Sequence, residues 1–315
     1  MSSASDNKQD IGNSTHGSHT MVHIPVLLHE SITALNIKPT GVYADGTLGA
    51  AGHATSIASA LNNQGILIAT DLDMRSITYA RPLLAGLDAH IIFANESFLS
   101  LPEIAQKNGI QGFDGILLDL GWNSDQFADP TRGFSFQVDG PLDMRFDTDN
   151  GGTTAAEIIN TWSANDLLYI LRTYADERWA RKIVQEIVRE RSIQPIVSTF
   201  QLVDTVKNVI PKKLHHTGIH PATKTFQALR IAVNHELKTV EQVVPLLAAT
   251  LNPGGRLCII SFHSGEDRIV KHAYKGLEKS GRFTIVEKKG ITPSPEELSD
   301  NPRSRSARLR ILQAH

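Results

Sequence analysis

Short apolar runs alternate with amphipathic stretches over the first 120 residues. Val42 to Ala44, Ile66 to Ala69, Ile91 to Ala94 and the run from Phe113 to Leu120 read as buried strands, because each is a compact apolar block bounded by Gly or polar residues. Helical periodicity separates them. Ala54 to Leu61 carries Ile57, Ala58 and Leu61 on one face, and Met74 to Leu84 repeats the pattern. Four strands divided by helices, with polar residues where each strand ends, predict an α/β fold built on a doubly wound parallel sheet rather than a barrel or a sandwich. The amphipathic stretch from Val22 to Leu35 is expected to pack across the edge of that sheet.

The pattern changes near residue 128. Asp129 to Asp149 has no sustained period and is dense in Gly, Pro and Asp, as a long functional loop would be. Ala155 to Ile170, Asp176 to Arg191 and Thr199 to Val209 read as amphipathic helices, and a further helix spans Ala222 to Thr250. A buried strand returns at Gly254 to His263, entered through a Gly-Gly turn, and Asn301 to Leu312 alternates like an outer strand with one charged face. The division expected is a mobile polar tail over 1–21, a first sheet segment over 22–127, an inserted helical domain over 128–216 and a second sheet segment over 217–315.

Charge sharpens this division. Residues 1–150 carry 7 Lys/Arg against 17 Asp/Glu, whereas residues 151–315 carry 24 against 16, so the halves stand at −10 and +8 within a chain of net charge −2. Such asymmetry suits a later segment facing a polyanion. Arg178, Arg181, Lys182, Arg189 and Arg191 lie on one predicted helix, followed by Lys207, Lys212, Lys213, Lys224 and Arg230. Phosphate contacts and an ordinary solvated face explain this run equally well. The chain of 315 residues has one Cys, no apolar run near 18 residues and no charged-then-apolar leader. It therefore reads as cytoplasmic, without a membrane partner, without a metal site, and with a homo-oligomer left open.

The candidate chemistry centres on Gly41 to Asp73. Its glycines are spaced Gly46-x-x-Gly49-x-x-Gly52, whereas a dinucleotide fingerprint needs G-x-G-x-x-G for close approach to a pyrophosphate. Asp45 on the same loop would repel phosphate and attract a sulfonium or amino group. S-adenosylmethionine thus fits better than NAD. Asp71 stands at the carboxyl end of the second strand, placed for ribose hydroxyls, and Phe98 suits either an adenine ring or plain core. Asp119, Asn123 and Gln126 follow the fourth strand at the same rim. His263 reads as a proton acceptor or as a structural histidine. Cys258 lies inside an apolar strand, which disfavours the thiolate that methylation of cytosine at C5 requires. An exocyclic amine needs only alignment and hydrogen-bond acceptors, for which Asn123 is the candidate.

Seven segments carry a family resemblance: His-Ile-Pro-Val-Leu-Leu at 23–28, Asp-Gly-Thr-Leu-Gly at 45–49, Ile-Leu-Leu-Asp-Leu-Gly at 116–121, Arg-Gly-Phe-Ser-Phe at 132–136, Asp-Gly-Pro-Leu-Asp-Met-Arg at 139–145, His-Pro-Ala-Thr-Lys-Thr-Phe-Gln-Ala-Leu-Arg-Ile at 220–231 and Ser-Phe-His-Ser at 261–264. Over residues 22–315 the chain closely resembles the RsmH (MraW) family, bacterial 16S ribosomal RNA cytosine-N4 methyltransferases that use S-adenosylmethionine. The resemblance implies a Rossmann-like class I methyltransferase sheet with an inserted helical domain that recognises 16S rRNA in the small ribosomal subunit. It also implies a cofactor pocket formed by Ala51, Gly52, His53, Asp71, Phe98, Asp119 and Gln126. The sequence departs from the family pattern at Ala51, where Gly is usual, at Trp122 and Asn123, where Val and Ser are usual, and at Gly265, where Leu is usual. Ala51 is expected to be tolerated with a negative φ. Two other readings are an NAD-dependent oxidoreductase and a catalytically silent RNA-binding protein of the same fold, the latter favoured by Trp122.

Overall fold

The computed structural model describes residues 24–120, 129–146, 148, 151–215, 218 and 220–315. Expectations for the 1–21 tail, Trp122, Asn123 and Gln126 lie outside these residues.

The first segment descends from Ile24 through Pro25, and left-handed Leu27 (φ 52°) starts α1 at Leu28–Leu35. Then β1 (Val42–Asp45), α2 (Gly52–Ser59), β2 (Ile66–Thr70), α3 (Met74–Leu84), β3 (His90–Ala94), α4 (Leu101–Lys107) and β4 (Phe113–Asp119) alternate as the apolar pattern requires. The four strands are parallel, in the order β3-β2-β1-β4. Helix α1 packs on β4 and β5 (Leu251–Ser261) rather than at the sheet edge, and Arg256 Nη1 donates to Ala34 O at 2.7 Å to hold it there.

The helical stretches break where local chemistry offers a cap. Ala155 to Ile170 becomes α5 (Ala155–Thr161) and α6 (Ala164–Ala175), because the Ser163 hydroxyl caps the second by accepting from the amide of Asp166. Asp176, in the left-handed region, ends α6, and α7 starts only at Ala180 and runs to Arg191. Helix α8 occupies Thr199–Val209 with a capping box made by Ser198 and Gln201. Ala222 to Thr250 is likewise two helices, α9 (Thr223–Asn234) and α10 (Glu236–Ala248), joined at His235 with φ 52°. This joint matters. Helix α9 buries Phe226, Leu229 and Ala232 in a core shared with α5 to α8, whereas α10 buries Val240, Val243 and Leu247 against the sheet. The core of the helical layer thus extends beyond residue 216.

Strand β5 pairs parallel to β4 and begins three residues before the Gly-Gly pair, which forms a bulge: Phe113 faces Leu251 while Gly115 already faces Arg256. Helix α11 (Ser264–Lys279) returns to β6 (Phe283–Ile285), and α12 (Pro295–Asp300) precedes β7 (Arg308–Ala314). The complete order is β3-β2-β1-β4-β5-β7-β6, with β7 antiparallel between β5 and β6. The final strand is therefore an inner strand, not the outer one its alternation suggested. Arg310 on it is buried in a two-point ion pair with Asp267, 2.6 and 3.1 Å, so it does not face nucleic acid.

Candidate active site

A cavity of about 650 Å³ lies over the carboxyl ends of β1, β2, β4 and β5, roofed by the helical layer. This is where an open parallel sheet binds ligands. On the sheet side Gly49, Gly52, His53, Asp71, Phe98 and Asp119 line it. On the helical side stand Phe134, Phe136, Met144, Phe146 and Phe226.

The loop after β1 is built by short hydrogen bonds. Thr47 Oγ1 accepts from the amide of Asp119 at 2.6 Å and fixes the end of β4 beside the glycines. Asp71 accepts from the amides of Gly49 and Asp73, both at 2.8 Å, and from the Ser76 side chain, which fixes its carboxylate at the cavity edge. Burial raises its carboxyl above the ordinary range. Gly52 is required by close approach, since a Cβ there would lie 2.1 Å from Pro25 Cγ. The Pro25 ring thereby closes one wall of the cavity. His53 is buried, with Nε2 3.1 Å from Val26 O and Nδ1 3.9 Å from Asp119 Oδ2, so it ties the first segment to the end of β4.

Two expectations are corrected. Asp45 does not present its carboxylate to the cavity: it is buried beneath the loop, accepting from the amide of Thr47 at 3.0 Å, and burial pushes its pKa up to about 7. Ala51 has φ 62°, not a negative value, and its side chain is fully buried as the N-cap residue of α2, so the tolerance expected for its methyl does not hold. Its part is to shape the turn; Gly49, Gly52 and His53 around it reach the cavity.

His263 caps α11 through its ring. Nδ1 accepts from the amides of Gly265 at 3.2 Å and Glu266 at 3.4 Å, which makes Nε2 the protonated nitrogen. The structural reading of this histidine therefore holds for Nδ1, while Nε2 lies in the cavity wall 3.2 Å from Glu266 Oε1. Glu266 is buried and accepts from the amide of Phe262 at 2.9 Å. Beside them Arg230 grips Glu236 through two bonds of 2.8 Å, spanning the His235 joint.

One oxygen of Glu236, one of Glu266 and a His263 nitrogen lie within 4.8 Å of one another. They are spaced as metal ligands would be, but Nδ1 is committed to two amides, and ligation through Nε2 would demand an imidazolate. Hydrogen bonding suits the cluster better. Sequence reading missed Arg230, Glu236 and Glu266 as site residues: the left-handed joint at His235 brings Arg230 and Glu236 together, and Glu266 enters from the first turn of α11, just beyond β5.

A model of the MraW methylase family matches residues 20–315. The chain belongs to that family. Among curated relatives, the ribosomal RNA small subunit methyltransferase H of Clostridioides difficile is 42% identical over 306 residues, covering 92% of this chain and 98% of that protein. The protein of the same name from Heliobacterium mobile is 42% identical over 307 residues with the same coverage. A solved rRNA methylase of Streptococcus thermophilus is a remote likeness, 12% identical with a TM-score of 0.42, over 93% of this chain and 98% of that one.

Proposed function

We propose that the protein transfers a methyl group from S-adenosylmethionine to the exocyclic N4 of a cytidine in small-subunit 16S ribosomal RNA. The observation that carries this reading is the single cavity with a carboxylate-bearing sheet side and an aromatic helical side. Asp71, Glu96 and Asp119 stand at the ends of three strands along one rim. Such a rim repels a pyrophosphate and suits ribose hydroxyls beside a cationic sulfonium, which disfavours the NAD reading. The names of the relatives support methylation of small-subunit rRNA.

The methyl donor supplies an already activated carbon, so the chain's own task is alignment and desolvation. Asp71 and the amides around Gly49 hold the ribose end, and Phe98 offers its ring to the adenine. Phe134, Phe146 and Phe226 supply an apolar wall on which an unstacked base can rest. Cys258 is fully buried and its thiol is pushed up to about 12, which keeps it protonated and argues against covalent attack at C5. Exposed Arg178, Arg181 and Lys182 are available for RNA phosphates. Arg189 is instead paired with Glu186 and Glu190, and Arg191 donates to Ile159 O at 2.6 Å.

Asn123, as acceptor for the amine, and Gln126, as a member of the donor pocket, complete the proposal from the sequence that follows β4. Mass mapping of small-subunit RNA from cells with and without the protein tests it: one N4-methylated cytidine should vanish with the protein. An unchanged map, with RNA binding intact, would favour the catalytically silent reading.

A further inference from the structure

The register of the sheet sets the place of the unassigned cluster. Asp119 pairs with Ile260, and the amide of Leu120 donates to Ile260 O at 3.0 Å, so Phe262 and His263 rise beside the end of β4. Neighbouring strands are about 4.8 Å apart. His263 therefore stands about one strand away from Asp119, and Glu266 and Glu236 share the cavity with both.

Each group has a defined hydrogen-bonding sense. The His263 Nδ1 bonds to two amides leave Nε2–H as a donor, and that buried nitrogen lies 3.2 Å from Glu266 Oε1 without hydrogen-bond geometry, so its N–H is not committed to that carboxylate. Glu236 is an acceptor held in place by Arg230, and each of its oxygens keeps a lone pair beyond the ion pair. A donor beside an acceptor is the complement of cytosine's N3 and N4–H edge. Uracil presents the reverse, an N3–H beside an O4 acceptor.

We propose, building on the methyltransferase reading, that Glu236 and His263 read this edge of the target cytosine and that Glu236 takes the proton released from N4. Contacts in the plane of the base leave the direction above N4 open to the methyl donor. The nitrogen lone pair forms the new bond to the methyl carbon while the carbon–sulfur pair departs with sulfur. N4 then carries one proton too many; its N–H electron pair stays on nitrogen and the proton passes to a Glu236 oxygen, from which solvent removes it as product leaves. Burial holds the Glu236 carboxyl above the ordinary range against the opposing pull of Arg230, and Glu266 adds to the rise. Both effects suit a group that must accept a proton.

The test compares wild type, Glu236→Gln and the double variant Arg230→Met/Glu236→Gln. Unfolding midpoints and S-adenosylmethionine affinity report whether each variant is folded with a working donor site. In folded protein both variants should lose about 100-fold or more in kcat on small-subunit RNA, with donor affinity within about threefold of wild type. If Glu236 serves only to neutralise Arg230, the double variant regains wild-type turnover and the proposal is overturned. A second readout needs no turnover. Protein loaded with S-adenosylhomocysteine should bind cytidine monophosphate about tenfold more tightly than uridine monophosphate, and His263→Phe or Glu236→Gln should abolish the preference. Equal preference in wild type and variants also overturns it. Should wild type itself methylate no cytidine N4, the underlying functional reading fails instead.

Discussion

Ala51 and Asp45 show how the turn after β1 stores strain on behalf of the cavity. An L-residue in the left-handed region costs about 1–2 kcal/mol, and Ala51 sits there at φ 62°. Glycine relieves this cost but loses part of the gain to its greater freedom in the unfolded chain. Ala51→Gly should therefore raise stability by about 0.5–1 kcal/mol in urea unfolding, with donor affinity unchanged. Asp45 makes the complementary case. Its proton affinity rises on folding, from 3.8 to about 7, so its contribution is fully present below pH 3.8 and is lost as pH climbs through about 7. With each pKa unit worth about 1.4 kcal/mol, Asp45→Asn should gain on wild type by roughly 4 kcal/mol between those limits. Parallel stability–pH curves would refute this account of Asp45.

Elements, rather than residues, decide which side chains meet. Gly52 lets Pro25 seal the donor end, and the Cβ of Gly52→Ala would force the first segment away from α2. A fall of about tenfold in S-adenosylmethionine affinity by calorimetry is expected, matching 1–3 kcal/mol of overpacking. The strands β1 to β4 and helices α3 and α8 are legible from apolar periodicity, because each is a short block with clear polar ends. The resemblance leads to Gly52, His53, Asp71, Phe98 and Asp119, which do line the cavity. What periodicity cannot show is the left-handed joint at His235, since amphipathic spacing runs on across it. Without that joint, Arg230 and Glu236 look like ordinary members of a charge run. The burial of β7 is hidden for a related reason: Arg310 gives the strand a charged face, and only its pairing with Asp267 from α11 makes that face internal.

At the scale of the whole molecule, a carboxylate-rimmed sheet and a basic helical layer meet over one cavity. If the helical layer holds RNA through phosphates, affinity for small-subunit RNA falls linearly on a log–log salt plot. Replacing Arg178, Arg181 and Lys182 with Gln should lower the slope by about 0.7 for each phosphate of single-stranded RNA that is no longer neutralised. An unchanged slope would place the RNA elsewhere. The most direct test of the account is transfer of labelled methyl groups from S-adenosylmethionine by purified protein to undermethylated small subunits, followed by nucleoside separation. The account predicts label on N4 of a single cytidine. Label on C5, on another base, or only on protein would contradict it.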